Sequence, residues 1–208
     1  MHRDDEKLKG IIKEKTLVII KPDGVLRKIV GELITRFERK GLKIIAMKMV
    51  WPTKELVEQH YTDSEEWLMD TGTRTYNSYL EKGVKLDKTP KELALDVRRR
   101  LMDHLTAGPV VVLVLQGAHA IEVVRRMRGS TSPLKADVGT IGFDYTLESY
   151  ELSDAGGWAI RNVIHASDSV QNSAREMGIW FKPEDIIEYS TAIDDVLYDT
   201  NWYGAFTR

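Results

Sequence analysis

The 208-residue sequence contains no cysteine, which excludes disulfide bonds, thiolate nucleophiles and zinc sites built on cysteine. It also lacks any apolar run near the roughly 20 residues that a membrane helix needs. Its first residues, 1–7, carry no apolar segment of the kind found in signal peptides. We therefore expect a cytoplasmic protein without a membrane partner.

Charge of one sign is not in excess either. Thirty Lys and Arg residues face 32 Asp and Glu residues, which leaves a formal charge of -2. A balance of this kind provides no overall attraction to nucleic acid, so a nucleic-acid partner is not expected and any affinity for phosphate must be local.

Two common nucleotide-binding fingerprints are missing as well. No glycine is followed by lysine, so the motif GxxxxGK[ST] is absent, and no GxGxxG occurs. A phosphate site in this protein must therefore be built in another way.

Hydrophobic periodicity predicts alternating strands and helices. Strands are predicted at 16–20, 42–51, 109–115 and 162–165. Helices are predicted at 25–37, 53–61, 91–105, 118–127 and 168–177, the last with Asp168 as N-cap and Gln171 completing a capping box. Two β-α-β halves favour an α+β fold: a ferredoxin-like split βαβ with a four-stranded antiparallel sheet and helices on one face. A doubly wound parallel sheet is the alternative.

The length and the 42% hydrophobic content predict a single domain spanning 1–208. Residues 1–14 form an N-terminal extension, and the polar stretch 67–97 resembles an inserted flap. The C-terminal tail, 191–208, holds Trp202, Tyr203 and Phe206, and we interpret these aromatic side chains as part of a contact surface.

One histidine stands where chemistry is expected. His165 ends an apolar strand, just before a polar turn and a helix that carries Glu176. Neutral imidazole is nucleophilic near pH 7, and a carboxylate can orient the ring and balance the developing positive charge. A half-buried structural histidine is the alternative for this residue taken alone.

Seven motifs along the chain change that balance. They are Lys21-Pro22-Asp23-Gly24-Val25, Gln59-His60-Tyr61, Gly108-Pro109-Val110, Gly129-Ser130-Thr131-Ser132-Pro133, Gly139-Thr140-Ile141, Asn162-Val163-Ile164-His165-Ala166-Ser167-Asp168-Ser169 and Trp180-Phe181-Lys182-Pro183-Glu184. In this order they resemble the nucleoside diphosphate kinase family, and the resemblance covers about 15–66 and 97–190.

The resemblance implies that His165 is phosphorylated and passes the terminal phosphate of a nucleoside triphosphate to a nucleoside diphosphate by a ping-pong route. It assigns the nucleotide site to Lys21, Tyr61, Arg125, Thr131 and Asn162, with Lys21 also catalytic, and it gives Glu176 and Ser167 a role in supporting the histidine. It further implies Mg²⁺ carried by the nucleotide, without a protein metal site, and a homo-oligomer, either a tetramer or a hexamer.

Structural roles stay open for several of these residues. Lys21 could be a solvated strand end, Arg125 part of a charged helix face and Glu176 an ordinary exposed helix residue. Tyr61 could be purely structural, and Thr131 could serve only as a hydrogen-bonding residue of its loop.

The sequence departs from the family at Gly142, where an arginine that contacts phosphate usually follows Gly139-Thr140-Ile141. Loss of one charge-assisted hydrogen bond costs about 1.5–3 kcal/mol. We therefore predict that an arginine in or next to the flap restores the charge, the candidates being Arg74, Arg98, Arg99 and Arg100. Trp67 and Val97 are candidates for stacking on the base.

Two other functions compete with the kinase. A catalytically weakened nucleotide-binding or regulatory protein on the same fold would bind nucleotide without turnover. A nucleic-acid-binding protein would use the local basic clusters, although the balanced charge argues against it.

Overall fold

The computed structural model describes residues 5–198. Its α-helices are α1 (Asp5–Ile12), α2 (Pro22–Leu26), α3 (Val30–Arg39), α4 (Lys54–His60), α5 (Glu65–Glu81), α6 (Pro90–Thr106), α7 (Ala120–Arg128), α8 (Ile141–Tyr145), α9 (Tyr150–Gly156), α10 (Val170–Trp180) and α11 (Ala192–Tyr198). Its strands are β1 (Lys15–Ile20), β2 (Lys43–Val50), β3 (Val110–Gln116) and β4 (Ile164–Ala166). Short 3₁₀ turns occur at Pro133–Lys135 and Pro183–Asp185.

The four strands form one sheet in the order β2-β3-β1-β4, and every adjacent pair is antiparallel. The two central strands, β1 and β3, are the most continuously apolar segments, and nearly all of their residues are buried. Since β1 and β2 are separated by β3, the β1-to-β2 connection is the split βαβ unit that the sequence predicted. The ferredoxin-like α+β fold is confirmed, and the parallel alternative is wrong.

Helices cover both faces of the sheet, whereas the sequence predicted helices on one face. Alternate residues of β1 point to opposite sides: Val18 and Ile20 pack with α3 and α7 in one core. Leu17 and Ile19 pack with α4, α6 and α10 in the other. The expectation of one covered face was wrong because strands that are apolar at every position need apolar partners on both sides.

The helix predicted at 25–37 is broken into two. α2 begins directly after Lys21, with Pro22 at its first position, and ends at Leu26. Lys28 then adopts a positive φ of 60°, which a continuous helix cannot contain, and α3 begins at Val30. The apolar spacing alone did not reveal this break.

The N-terminus of α10 also differs from the prediction. Ser169, not Asp168, is the N-cap, and its hydroxyl accepts a hydrogen bond from the backbone N–H of Asn172. Asp168 instead accepts a hydrogen bond from the Asn172 side chain at 2.7 Å, and Gln171 is exposed and forms no capping box. Adjacent Asp and Ser both suit an N-cap, so the sequence could not separate them.

The stretch predicted as a polar flap lies mainly in two long helices, α5 and α6, which pack against each other and are called the flap helices below. Thr89 caps α6 in a reciprocal capping box with Glu92. Gly72 lets the helices approach closely, because a methyl group there would overlap the carbonyl of Pro90. Helix α6 is linked to α9 by an ion pair between Arg100 and Asp154 at 3.3 Å.

The last helix of the described residues, α11, packs beside β2 and the segment that follows β3. In α11 the Tyr198 hydroxyl accepts a hydrogen bond from the backbone of Ala118, and Asp194 pairs with Lys43 at 2.8 Å. Trp202, Tyr203 and Phe206, the predicted contact surface, lie outside the described residues. Within residues 5–198, no helix combines the length and apolar character needed to cross a membrane.

Candidate active site

His165 lies at the centre of β4, opposite Ile19 of β1. Its Nε2 is 2.9 Å from Oε2 of Glu176, which α10 brings back over the strand. The Ser167 hydroxyl donates to the same carboxylate oxygen at 2.6 Å. The histidine and its two predicted supporting residues are therefore adjacent, and the interpretation of Glu176 as an exposed helix residue is wrong because it is buried.

This arrangement fixes the proton of the imidazole. Burial alone would raise the pKa of Glu176, but the charge of His165 and its hydrogen bond, the charge of His60 and the hydrogen bond from Ser167 together outweigh it and lower the pKa. Since an ionised carboxylate only accepts hydrogen bonds, Nε2 of His165 must be the donor. The other ring nitrogen, Nδ1, is then left with its lone pair available as a nucleophile.

A second histidine packs against the first. The rings of His60 and His165 meet edge to face with centroids 4.6 Å apart. Nδ1 of His60 accepts a hydrogen bond from the indole N–H of Trp180 at 3.2 Å, so the proton of the neutral ring lies on Nε2. Burial, and then the charge of His165, hold the pKa of His60 well below its ordinary value.

Among the described residues, His60, His165 and Glu176 are the one group of three potential metal ligands close together. The group suits Mg²⁺ poorly, because that ion prefers oxygen ligands in octahedral geometry. Nε2 of both rings also carries a proton in the arrangement above, so the cluster serves the histidine rather than a metal.

The backbone just before His165 is held in a strained turn. Val163 has a φ of 69°, an uncommon value for a β-branched residue, and the N–H of Ile164 bonds the carbonyl of Asn162 at 2.8 Å. The N–H of Val163 donates to Asp23 at 3.0 Å, and Asp23 is also 3.2 Å from a ring nitrogen of His104. Strain of this kind persists only where the surroundings enforce it, as Asp23 does here.

Lys21 is buried at the end of β1 and donates to the side-chain carbonyl of Asn162 at 2.7 Å. The Asn162 amide donates in turn to the backbone carbonyl of Thr131 at 2.8 Å. Burial, with a smaller contribution from Arg128, lowers the pKa of Lys21 to about 8. Three of the predicted nucleotide-site residues are thus linked, and the interpretation of Lys21 as a solvated strand end is wrong.

The remaining two predicted residues flank this group. Tyr61 follows α4, and its ring packs edge to face against that of His60 at 4.8 Å. Burial, and then the charge of Glu176, raise the pKa of the Tyr61 hydroxyl, which therefore stays protonated. Arg125 lies exposed in the last turn of α7, with its guanidinium in none of the hydrogen bonds that link Lys21, Asn162 and Thr131.

The arginines of the flap have other partners. Arg98 donates to the backbone carbonyls of Tyr61 and Glu58, which fastens α6 to α4. The other three pair with carboxylates; they are Arg74 with Asp70, Arg99 with Asp96 and Asp103, and Arg100 with Asp154. These ion pairs also reduce the exposed positive charge that a nucleic acid would need.

A surface cleft of about 820 Å³ lies beside the predicted site. Arg125, Ser130 and Asp168 contribute to its walls, but His165 and Lys21 do not. The site itself is defined by the convergence of side chains rather than by the cleft.

Three residues of the site were given no role from the sequence. His60 and Asp23 stand inside the quoted motifs, next to Tyr61 and Lys21, and that proximity was the available signal. Arg128 is half-buried at the end of α7, where only Arg125 was assigned a role from the sequence. Only the structure shows that the side chain of His60 is buried and that those of Asp23 and Arg128 are half-buried.

Fold and site together define an α+β protein in which a sheet-bound histidine, oriented by a buried carboxylate, faces a cluster of cationic and amide groups. The family model for nucleoside diphosphate kinase matches residues 14–70 and 95–186. The chain belongs to the nucleoside diphosphate kinase family.

Curated relatives agree with this assignment. The nucleoside diphosphate kinase of Pyrobaculum aerophilum is 44% identical over 180 residues, which span 84% of this chain and 98% of that protein. The enzyme of Pyrococcus horikoshii is 44% identical over 181 residues, which span 87% and 93% of the two chains. The protein is accordingly a phosphotransferase with nucleoside diphosphate kinase activity.

Solved structures support the fold. The crystal structure of the NDP kinase from Pyrobaculum aerophilum superposes with a TM-score of 0.82 at 42% identity, covering 85% of this chain and all of that one. The enzyme of Borrelia burgdorferi, solved as a transition-state mimic with vanadate and ADP, gives 0.73 at 34% identity, covering 89% and 96%.

Proposed function

We propose that the protein transfers the terminal phosphate of a nucleoside triphosphate to a nucleoside diphosphate through a phosphohistidine on His165. The observation that carries the proposal is the hydrogen bond from Nε2 of His165 to the ionised Glu176, which leaves Nδ1 as a free nucleophile. This nitrogen belongs to a half-buried ring whose orientation is fixed by the hydrogen bond to Glu176 and by the edge-to-face contact with His60.

In the first half-reaction, Nδ1 attacks the γ-phosphorus of the triphosphate. A P–N bond forms while the P–O bond to the β-phosphate breaks, and the nucleoside diphosphate leaves with the electron pair. The imidazole becomes positively charged, and Glu176 balances that charge through Nε2–H. A second nucleoside diphosphate then attacks the phosphohistidine through its terminal oxygen, so that the P–N bond breaks and free His165 returns.

The neighbouring groups fit the demands of this transfer. Phosphoryl transfer is accelerated mainly by positioning and by positive charge on the phosphate oxygens. Lys21 supplies such a charge in a buried setting, and Asn162 and Thr131 offer hydrogen bonds beside it. Arg125 lies exposed at the end of α7, from where it could reach the phosphates of a bound nucleotide, and Tyr61 packs beside His60.

Mg²⁺ enters this scheme as part of the substrate, bound to the phosphates of the nucleotide. The vanadate and ADP held by the Borrelia relative support a phosphoryl-transfer site of the same kind here. The regulatory alternative rests on Gly142, where no side chain extends toward the phosphates.

Labelling with γ-³²P-ATP and Mg²⁺ separates the kinase from the binding protein. The wild type should gain an acid-labile, base-stable label that added GDP removes as labelled GTP, and His165→Ala should gain none. As a matched control, His119→Ala replaces an exposed histidine at the start of α7 and should be labelled like the wild type. A folded wild type that binds ATP without becoming labelled would support the regulatory alternative instead.

The proposal also covers the limits of the flap, the cellular location of the protein and its oligomeric state. We retain 67–97 as the inserted flap of a single domain, a cytoplasmic location and a homo-oligomer, hexamer or tetramer. Exposed apolar side chains support the assembly, since Met47, Met49 and Trp51 lie on or just after the edge strand β2 with more than half of their surface accessible. Light scattering of the purified chain would give the number of subunits.

A further inference from the structure

Arg128, the last residue of α7, is a half-buried cation that the proposed reaction does not yet use. Its Nη2 donates to the Thr131 hydroxyl at 3.3 Å, and its Nε donates to the adjacent carbonyl of Gly129 at 3.3 Å. Within the described part of the chain it forms no ion pair with a carboxylate, unlike its neighbour Arg126. The carboxylate of Asp168 acts on Arg128 only from beyond ion-pair distance, so this partly desolvated guanidinium has no counter-ion in contact with it among the described residues and could accept an anion.

Other cations surround it. Burial, and then the charge of Arg125, lower the pKa of Arg128. Burial also lowers the pKa of Lys21, where the charge of Asp23 acts in the opposite direction and that of Arg128 lowers it further. Thr131 links the groups, since its hydroxyl accepts from Arg128 and its carbonyl accepts from Asn162, the partner of Lys21. Like charges held together in this way repel one another until an anion of high charge binds among them.

Position 142 lies against the backbone of the loop that follows α7. Gly142 is buried, and a Cβ placed on it would lie 3.1 Å from the backbone carbonyl oxygen of Arg128 and 3.5 Å from that of Ser130. Arg128 is therefore a neighbour of position 142, where this chain has no side chain.

The geometry points to Arg128 as a phosphate-binding residue that contacts the polyphosphate of the nucleotide together with Lys21. The inference rests on the proposed function and deepens it by naming the arginine that supplies charge in place of Gly142. It replaces the flap arginines Arg74, Arg98, Arg99 and Arg100 in that role, because each of those is engaged elsewhere.

The test compares two arginines of one helix. Arg128→Leu should weaken binding of ADP and of inorganic tripolyphosphate about 10- to 100-fold, the loss expected for one charge-assisted contact. Arg126→Leu, which removes an exposed arginine paired with Glu122 at 2.8 Å, should leave both affinities within twofold. Calorimetry at several salt concentrations measures the affinities, and circular dichroism confirms folding.

The salt dependence separates direct contact from mere positioning of the loop. If Arg128 contacts phosphate, the affinity of Arg128→Leu for ADP should fall less steeply with added salt than that of the wild type. Unchanged ADP affinity, or a loss with unchanged salt dependence, would overturn the inference. Should Arg128→Leu fail to fold, Arg128→Gln provides the same comparison with a polar side chain.

The two proposals fail separately. A wild type that is labelled on His165, with ADP binding insensitive to Arg128, overturns only the role of Arg128. A wild type that binds ADP without being labelled overturns the phosphohistidine, while the affinity comparison still decides the role of Arg128. A wild type that does not bind ADP overturns both.

Discussion

The carboxylate of Asp23 accepts a hydrogen bond from the backbone N–H of Val163 at 3.0 Å, and so joins the first motif of the sequence to the strained turn before His165. Lys21 reinforces the same link, since its own N–H donates to the carbonyl of Val163 at 2.8 Å. The strain at Val163 is thus balanced by two contacts from the segment after β1. The proposed nucleophile, His165, thus follows a turn that is held by residues about 140 positions away in the sequence.

Asp23→Ala removes this support. The change leaves the buried N–H of Val163 without its acceptor, which should lower the free energy of unfolding by about 1–3 kcal/mol and slow phosphorylation of His165. Asp87→Ala, at an exposed position between α5 and α6, should change neither quantity. Urea unfolding and single-turnover labelling measure the two effects, and equal stability of the two variants would contradict the role of Asp23.

The stability difference should also depend on pH. Burial alone would raise the pKa of Asp23, but the hydrogen bond from His104 and the charge of Lys21 outweigh it and hold the pKa below 3.8. A lowered carboxyl pKa stabilises the folded state above the unfolded pKa, and this contribution is lost as the pH falls through the folded value. The difference in the free energy of unfolding between wild type and Asp23→Ala should therefore be constant near neutral pH and become smaller below about pH 4.

Binding of ADP should draw a proton onto Lys21 in mildly alkaline solution. With a pKa of about 8 in the free protein, Lys21 is largely neutral at pH 9, and bound phosphate favours its charged form. Calorimetry at pH 9 in buffers of different ionisation enthalpy should show proton uptake by the wild type. Lys21→Met should show no such uptake, whereas uptake that persists in the variant would assign the proton to another group.

The same lowered pKa predicts a cost to stability. Since the unfolded chain holds its Lys21 proton up to about pH 10.5 and the folded chain only to about 8, the charged side chain destabilises the empty protein at neutral pH. That penalty is fully present below pH 8 and disappears as the pH rises toward 10.5. Lys21→Met should therefore be more resistant to heat than the wild type at pH 7 without nucleotide, and less protected by added ADP.

Glu176→Gln tests the orientation of the nucleophile. The amide keeps the size of the side chain but loses the charge that balances the phosphorylated imidazole, so formation of phosphohistidine should slow by about 10- to 100-fold. ADP affinity should change little, because Glu176 lies behind the ring and not among the phosphate-binding groups. Glu184→Gln, in an exposed turn, is the control for single-turnover labelling.

The sequence predicted the strands and the four-stranded antiparallel sheet, because these depend on local apolar runs. The motif around His165 also singled out this histidine, and the structure places it beside Glu176 and Ser167. It failed where two solutions differ by a small local energy, as with Ser169 and Asp168 as the cap of α10. It also could not show which arginine turns inward. Arg125, Arg126 and Arg128 share one helix turn, and only the structure shows that Arg128 is half-buried while Arg125 and Arg126 are exposed.

The contact between the flap helices α5 and α6 provides the last prediction. Gly72 lies where α5 touches the start of α6, and the methyl group of Gly72→Ala would overlap the carbonyl of Pro90. Forcing the helices apart should lower the free energy of unfolding by about 1–3 kcal/mol.

The control is Gly178→Ala on α10. Its methyl group meets no atom within 4 Å, so the variant should be neutral or more stable by up to about 1 kcal/mol through helix propensity. Hydrogen exchange should show faster opening of α5 and α6 in Gly72→Ala alone. If the flap helices cover the nucleotide, the same variant should also bind ADP more weakly. Equal exchange in the two variants would mean that the contact between Gly72 and Pro90 does not hold α5 against α6.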